Sequence, residues 1–317
     1  MNRSTFFLEA VAPFRLDLTV WTLRRRPHNL VDRWDGETYR RTFTVSGEPV
    51  EVAVVQMGLA RTPRLQVTVQ GSPLRAEEKQ AVTVALERLL GHRIDLAAFY
   101  RLASRDADLG PLARRFRGMK PPRFPSVFEG VVNGIACQQL TLTLGIHLLN
   151  RLAENHGLGM AIKGGSSHAF PRPEDLANLT PETLRPLGFS RQKGRAMIEL
   201  AGIGAEGRAD LEGLRVFPDQ DALARLNQLR GVGRWTAEYV LLRCLGRLHV
   251  FPGDDVGARN NLQRWLGRDQ PLDYAEVGRV LARWQPYQGL VYFHLLLNRL
   301  AEAGHVQSKA PADGSKT

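Results

Sequence analysis

The stretch best equipped for chemistry is Leu226-Asn227-Gln228-Leu229-Arg230-Gly231-Val232-Gly233-Arg234-Trp235-Thr236-Ala237, which reads as helix, tight Gly-Val-Gly turn, helix. Glycine permits backbone conformations that other residues resist, and a helix begins with free N–H groups pointing outward. A phosphate can sit on such donors, helped by the helix dipole. By itself the turn serves equally well as a plain structural hairpin. Further on, Phe251-Pro252-Gly253-Asp254-Asp255-Val256-Gly257-Ala258-Arg259 brings two carboxylates to the start of another helix. Anions suit helix N-termini, so one acid can cap while the other faces a cleft. The residues leave open which does which. Trp235 and Tyr239, four apart, lie on one side of their helix, as a core face or as a stacking wall.

Those segments need elements to hold them. The chain has 317 residues, about two domains at roughly 150 residues each. Hydrophobic residues at 43% and charged residues at 24% give the balance of a globular protein with a sizeable core. No apolar run approaches the ~20 residues that span a bilayer, and no signal-peptide core follows Met1, so a cytoplasmic protein without a membrane partner is expected. The only two cysteines, Cys137 and Cys244, exclude a four-cysteine metal site and make a disulfide framework unexpected. Lys plus Arg number 43 against 32 Asp plus Glu, a net charge of +11, with a pI near 10.2. Such an excess favours a polyanionic partner, although it serves solubility too.

The first hundred residues alternate in the manner of half-buried strands at Phe14–Leu23, Tyr39–Val45, Val50–Val55 and Leu65–Val69. A helix is expected from Ala76 to Leu90, with Gly91 just past its end. Beyond Leu102 strands nearly vanish. Helical spacing runs through Phe128–Leu152, Pro181–Leu187, Lys193–Ala201, Ala222–Leu229, Trp235–Leu245, Val256–Trp265 and Leu290–Ala303. The tail has almost no apolar side chains and is expected to be disordered. The fold class is therefore α+β: a small antiparallel-sheet domain over 1–104, a mostly helical region over 105–305, and a tail over 306–317.

Taken together, the hairpin and the Asp254-Asp255 loop resemble the helix–hairpin–helix superfamily of DNA base-excision glycosylases. Within it the chain is similar to the 3-methyladenine DNA glycosylase II branch of alkylation repair. The resemblance extends to Phe128-Glu129-Gly130-Val131-Val132-Asn133-Gly134-Ile135-Ala136-Cys137-Gln138-Gln139-Leu140-Thr141, to Leu184-Arg185-Pro186-Leu187-Gly188-Phe189-Ser190-Arg191-Gln192-Lys193 and to Trp284-Gln285-Pro286-Tyr287. It covers nearly the whole chain, including the sheet domain that this branch carries ahead of its two helical lobes.

What the resemblance implies can be stated residue by residue. Asp255 is the catalytic carboxylate, opening the second lobe, and Asp254 is left as the capping residue. A carboxylate in a water-poor pocket stabilises the positive charge that builds on the deoxyribose as the N-glycosidic bond breaks. Trp235 stands where bifunctional members carry a lysine; an indole cannot form a Schiff base, so a monofunctional enzyme is expected. Trp235 and Tyr239 line the base pocket, where electron-rich faces attract cationic alkylated purines. Leu296 falls where a second pocket tryptophan is expected, a departure on that wall. Gln139 takes the duplex-wedge position in place of the relatives' apolar side chain. His294 matches a histidine of the same helix, although a lone helical histidine is more often structural. Gly231 and Gly233 would grip the DNA backbone through their amides, with Thr236, Arg234 and Arg259 as side-chain partners. The carbonyls of Asn227, Leu229 and Val232 would hold a monovalent cation, and no other cofactor is required. The implied partner is double-stranded DNA containing damaged bases, met by a monomer. The alternatives are a non-catalytic hairpin DNA-binding protein, a glycosylase for oxidised or deaminated purines, and more remotely a nucleoside hydrolase.

Overall fold

The computed structural model describes residues 3–71, 74–162 and 164–306. The chain opens with β1 (Arg3–Glu9), α1 (Leu16–Arg24), β2 (Arg33–Trp34), β3 (Thr38–Val45), β4 (Glu48–Met57), β5 (Arg64–Gln70) and α2 (Ala76–Leu90). Next come α3 (Ala97–Ala103), α4 (Leu109–Arg115), α5 (Val127–Cys137), α6 (Leu142–His156), β6 (Gly159–Ile162) and β7 (Gly165–His168). The remainder is helical: α7 (Pro173–Leu176), α8 (Pro181–Leu184), α9 (Arg191–Ala205), α10 (Asp219–Asn227), α11 (Arg234–Arg243), α12 (Val256–Trp265), α13 (Tyr274–Leu281) and α14 (Gln288–Glu302). The α+β class holds. Of the tail expected over 306–317, Val306 is instead buried among the C-terminal helices, and residues 307–317 lie outside the described residues.

The sheet is antiparallel in the order β1-β5-β4-β3-β2. Its strands β3 and β4 turn through Ser46 and Gly47, both at positive φ, the two-residue geometry whose twist matches the flanking strands. Three of the alternating segments are strands as expected; Phe14–Leu23 is not. Its core folds as α1, because that segment is buried on nearly every side rather than on one face. Leu16, Val20 and Leu23, a stripe at helical spacing, pack into the sheet's apolar cluster. Leu18 packs instead among the C-terminal helices. Alternation here recorded burial against two different partners.

A second difference lies at Gln138–Thr141, where the single run Phe128–Leu152 breaks into α5 and α6. Gln139 adopts φ +54°, uncommon for a side-chain-bearing residue, and Thr141 caps α6 by accepting from the Leu144 N–H. The supposedly strand-poor region also contains the antiparallel pair β6 and β7, in which Ile162 faces Gly165.

The helices bury two further apolar clusters. One gathers α5, α6, α9, α10 and most of α11. The other joins α3 and α4 to α12, α13 and α14 around the fully buried Trp284. Helix α11 contributes to both, through Tyr239, Val240 and Leu241 to the first and Leu242 to the second. The loop from α11 to α12 therefore crosses between two lobes. A buried ionic cluster ties the sheet to the first lobe. Arg41 donates to Asp32 at 2.8 Å and to both oxygens of Glu129, at 2.8 and 2.6 Å, while the Tyr39 hydroxyl donates to Asp32.

Candidate active site

The turn between α10 and α11 is built as its glycines require. Gly231 has φ +77°, and a Cβ there would lie 2.9 Å from that of Ala196. Gly233 starts α11 with nothing within 4 Å of a would-be Cβ, so the turn is open on its outer side. The N–H groups of Gly231 and Gly233 have no partner among the described residues. Together with the start of α11 they form a donor surface suited to a phosphate. Of the three expected cation ligands, the Leu229 carbonyl accepts from Val232 N–H at 3.1 Å, and those of Asn227 and Val232 accept nothing among the described residues.

Thr236 corrects an expectation. It is 1% exposed, and its methyl faces Gly134 on α5, so it cannot reach out to a phosphate. Its hydroxyl accepts from Gln138 Nε2 at 2.8 Å, and the same amide donates to the Gly231 carbonyl at 2.7 Å. Lys193 Nζ holds the other side of that loop through the carbonyls of Ala136, at 3.0 Å, and Gln138, at 2.7 Å. Gln138 is thus the link that fixes the exposed Gln139 relative to the hairpin, a role the sequence did not disclose. Replacing it, Gln138→Ala, is expected to cost about 1 kcal/mol of stability. It should also weaken binding to abasic duplex DNA more than binding to single-stranded DNA. Thermal denaturation and fluorescence anisotropy check both.

The capping role falls to Asp255 and not, as expected, to Asp254. Asp255 itself caps α12, its Oδ1 accepting from the Ala258 N–H at 2.9 Å. Asp254 instead pairs with Arg234 at 2.6 Å, and that guanidinium lies over the Tyr274 ring. Arg234 is therefore engaged within the protein, whereas Arg259 has no side-chain partner among the described residues. Capping uses only one oxygen of Asp255. The other, Oδ2, accepts from the Tyr292 hydroxyl at 3.1 Å. Burial, and secondarily the nearby Asp255, push the Tyr292 phenol well above its usual range, so it remains a donor. The loop carrying the pair is held by Glu238 of α11, which accepts from Gly253 N–H at 3.1 Å and from the Tyr274 hydroxyl. Burial raises the Glu238 pKa. Gly253 leaves no room for a larger residue, since a Cβ would lie 2.7 Å from the Tyr274 ring.

The aromatic pair expected to line a base pocket is assembled on α11. Trp235 and Tyr239 stack with ring centroids 5.6 Å apart and planes 30° apart. The Trp235 indole nitrogen is buried without a hydrogen-bond partner among the described residues. Tyr239 is buried, and its hydroxyl accepts from Arg25 at 2.8 Å. Tyr292 links the two groups, donating to Asp255 and interacting electrostatically with Tyr239. Leu296 follows Tyr292 by one turn, half-buried against the second lobe. His294 is fully buried and donates from Nδ1 to the Leu290 carbonyl; burial lowers its pKa to about 4, leaving it a neutral structural group.

A cavity of about 630 Å³ lies elsewhere, between the sheet and the first lobe. Its acids Glu129, Asp210 and Glu212 all accept hydrogen bonds from Arg41, Gly213 N–H and Arg88 respectively, leaving no free acid there for chemistry. Tyr292, Glu238 and Arg25 are the partners of Asp255, its loop and Tyr239 that sequence reasoning passed over. Tyr292 had a signal, one turn from Leu296 on the same helix face; Arg25 had none beyond a run of three arginines.

Known proteins resemble this chain in sequence and in fold. Residues 132–286 match the family described as HhH-GPD superfamily base excision DNA repair protein. The DNA-3-methyladenine glycosylase of Bacillus subtilis is 31% identical over 63% of this chain, a match spanning 66% of that protein's length. A putative DNA-3-methyladenine glycosylase of the same organism is 28% identical over 92% of this chain and 96% of its own. Among solved structures, the 3-methyladenine DNA-glycosylase from Archaeoglobus fulgidus superposes with a TM-score of 0.79 at 25% identity, covering 93% of this chain and 99% of its own.

Proposed function

The chain belongs to the HhH-GPD superfamily of base excision DNA repair proteins, and from that premise we propose that it is a monofunctional DNA glycosylase that removes alkylated purines from duplex DNA. The observation that carries the reading is Asp255, fixed through one oxygen by a helix N-terminus and through the other by Tyr292, a phenol that also interacts electrostatically with Tyr239 of the Trp235–Tyr239 stack. The hairpin amides take a phosphate, and Gln139 fills the gap left when the damaged nucleotide leaves the duplex. The extruded base stacks on Trp235, where a cationic ring gains from the electron-rich indole face. As the bond from sugar to base breaks, the Asp255 carboxylate stabilises the cationic sugar and steers water to it. Tyr292 keeps one oxygen of that carboxylate aimed. The products are a free base and an abasic site.

No amine replaces Trp235 at the sugar, and Lys193 spends its ammonium on two carbonyls of the α5–α6 loop. A Schiff base, and hence strand cutting, is not expected. A purely structural hairpin-binding protein would have no use for an acid so placed beside a phosphate site, where it weakens DNA binding. The free carbonyls of Asn227 and Val232 fit a monovalent cation, which would steady the hairpin. The protein would act as a monomer in the cytoplasm, on the nucleoid.

The test is direct. Methylated duplex DNA is incubated with the protein, released bases are separated, and strands are examined before and after alkali. Release of 3-methyladenine, breaks only after alkali and no adduct trapped by borohydride are the expected results; Trp235→Lys should gain weak trapping. Intact methylated DNA would overturn the proposal, and spontaneous strand cutting would overturn its monofunctional part.

A further inference from the structure

Two arginines lie beneath the aromatic wall with no carboxylate bound to them among the described residues. Arg25 is 5% exposed; it donates to Tyr239 Oη at 2.8 Å and to Asn133 Oδ1 at 2.7 Å, and its Nε has no partner. Arg243 is fully buried, donating to the carbonyl of Thr22 at 3.2 Å and lying over the rings of Phe124, Tyr239 and Phe293. Arg41, by contrast, is neutralised by Asp32 and Glu129. Guanidinium stays protonated, and burying that charge among neutral acceptors is costly unless something anionic comes to meet it. The backbone points the same way. Arg25 ends α1 in the left-handed region at φ +61°, where glycine would sit without strain, and so delivers a cation from the end of α1 to the Tyr239 hydroxyl.

The reaction itself generates an anion. Heterolysis of the bond between C1′ and the base nitrogen sends the electron pair into the base. A 7-methylated guanine, already cationic, departs neutral. An uncharged purine departs with negative charge and needs a positive group near it. In both cases water oxygen bonds to C1′, one of its protons stays on the sugar hydroxyl and the other balances the acid or the departed base.

We propose that Arg25 is a specificity-determining positioning residue, whose buried charge, relayed through Tyr239, assists the expulsion of uncharged purines, which depart as anions, while cationic ones depart neutral without its help. This rests on the glycosylase reading above.

Duplexes bearing a single 7-methylguanine or a single hypoxanthine separate the cases under single-turnover conditions. Arg25→Gln is expected to lower hypoxanthine release at least about tenfold more than 7-methylguanine release, and Arg25→Lys to restore the parental ratio. Tyr239→Phe, which removes the oxygen Arg25 grips, should move the ratio the same way and serves should Arg25→Gln not fold. Equal losses on both duplexes would mean a merely structural arginine and overturn the proposal, as would a parent protein that releases 7-methylguanine but no hypoxanthine. A parent inactive on both duplexes would instead sink the glycosylase reading itself.

Discussion

Asp255→Asn is expected to slow single-turnover release of alkylated purines by on the order of 10³-fold or more while leaving the fold and DNA affinity in place. The two effects separate because Asp255 does two jobs with two oxygens. Asparagine is as good an N-cap as aspartate, so the bond from Ala258 N–H survives and the change costs well under about 1 kcal/mol. Tyr292 can turn its hydroxyl to accept from the new amide. What disappears is the negative charge opposite the developing sugar cation. Removing an acid from a phosphate-binding surface also leaves affinity for abasic DNA equal or higher. Base release measured by chromatography, anisotropy with abasic duplex and a thermal melt report the three quantities independently. Parental release rates in the variant would overturn the catalytic assignment. Asp255→Ala, in contrast, should lose the cap as well and melt earlier.

How much of this was legible in the sequence varied with the kind of constraint. Gly231 and Gly233 were readable because a turn of that shape admits little else, and Gly91 ended α2 for the same reason. Segments buried on one face gave their period away, as β3, β4 and β5 did. Helix α1 misled because its two sides meet different clusters, so apolar residues recur more densely than one face requires. The functional residues split in a similar way. Asp255 was found through a motif, but its capping role was assigned to Asp254, since adjacent acids are indistinguishable until the chain direction at the helix start is known. Thr236 looked like a surface donor because its helix begins at an exposed turn; only the packing of α5 against α11 shows that it points inward. Tyr292, Glu238, Gln138 and Arg25 act through partners 15 to 214 positions away in sequence. Side-chain pairs at such separations leave no local pattern to detect.

The same logic of distant pairing makes Arg41→Met the most damaging change expected away from the active site. Arg41 and Glu129 are 2% and 5% exposed and come from β3 and α5, so their ion pair helps dock the sheet on the first lobe. Methionine fills similar space but strands two buried carboxylates, Glu129 and Asp32, an imbalance worth about 3–5 kcal/mol. At roughly 2–4 °C per kcal/mol, the melting temperature should fall by roughly 6–20 °C at neutral pH. The pH dependence identifies the cause. Burial already raises Glu129 above its ordinary value of 4.5, against the opposing pull of Arg41. Without that pull its folded pKa climbs further. Between 4.5 and the raised value the folded state holds a proton that the unfolded state has released, so stability falls as pH rises through that window. The deficit relative to the parent should therefore be largest above the raised pKa and shrink toward pH 4.5. Adding Glu129→Gln, which keeps the shape and discards the charge, should recover part of the loss at neutral pH and flatten the difference curve. A deficit independent of pH, unrelieved by that second change, would show that Arg41 acts through packing and not through charge.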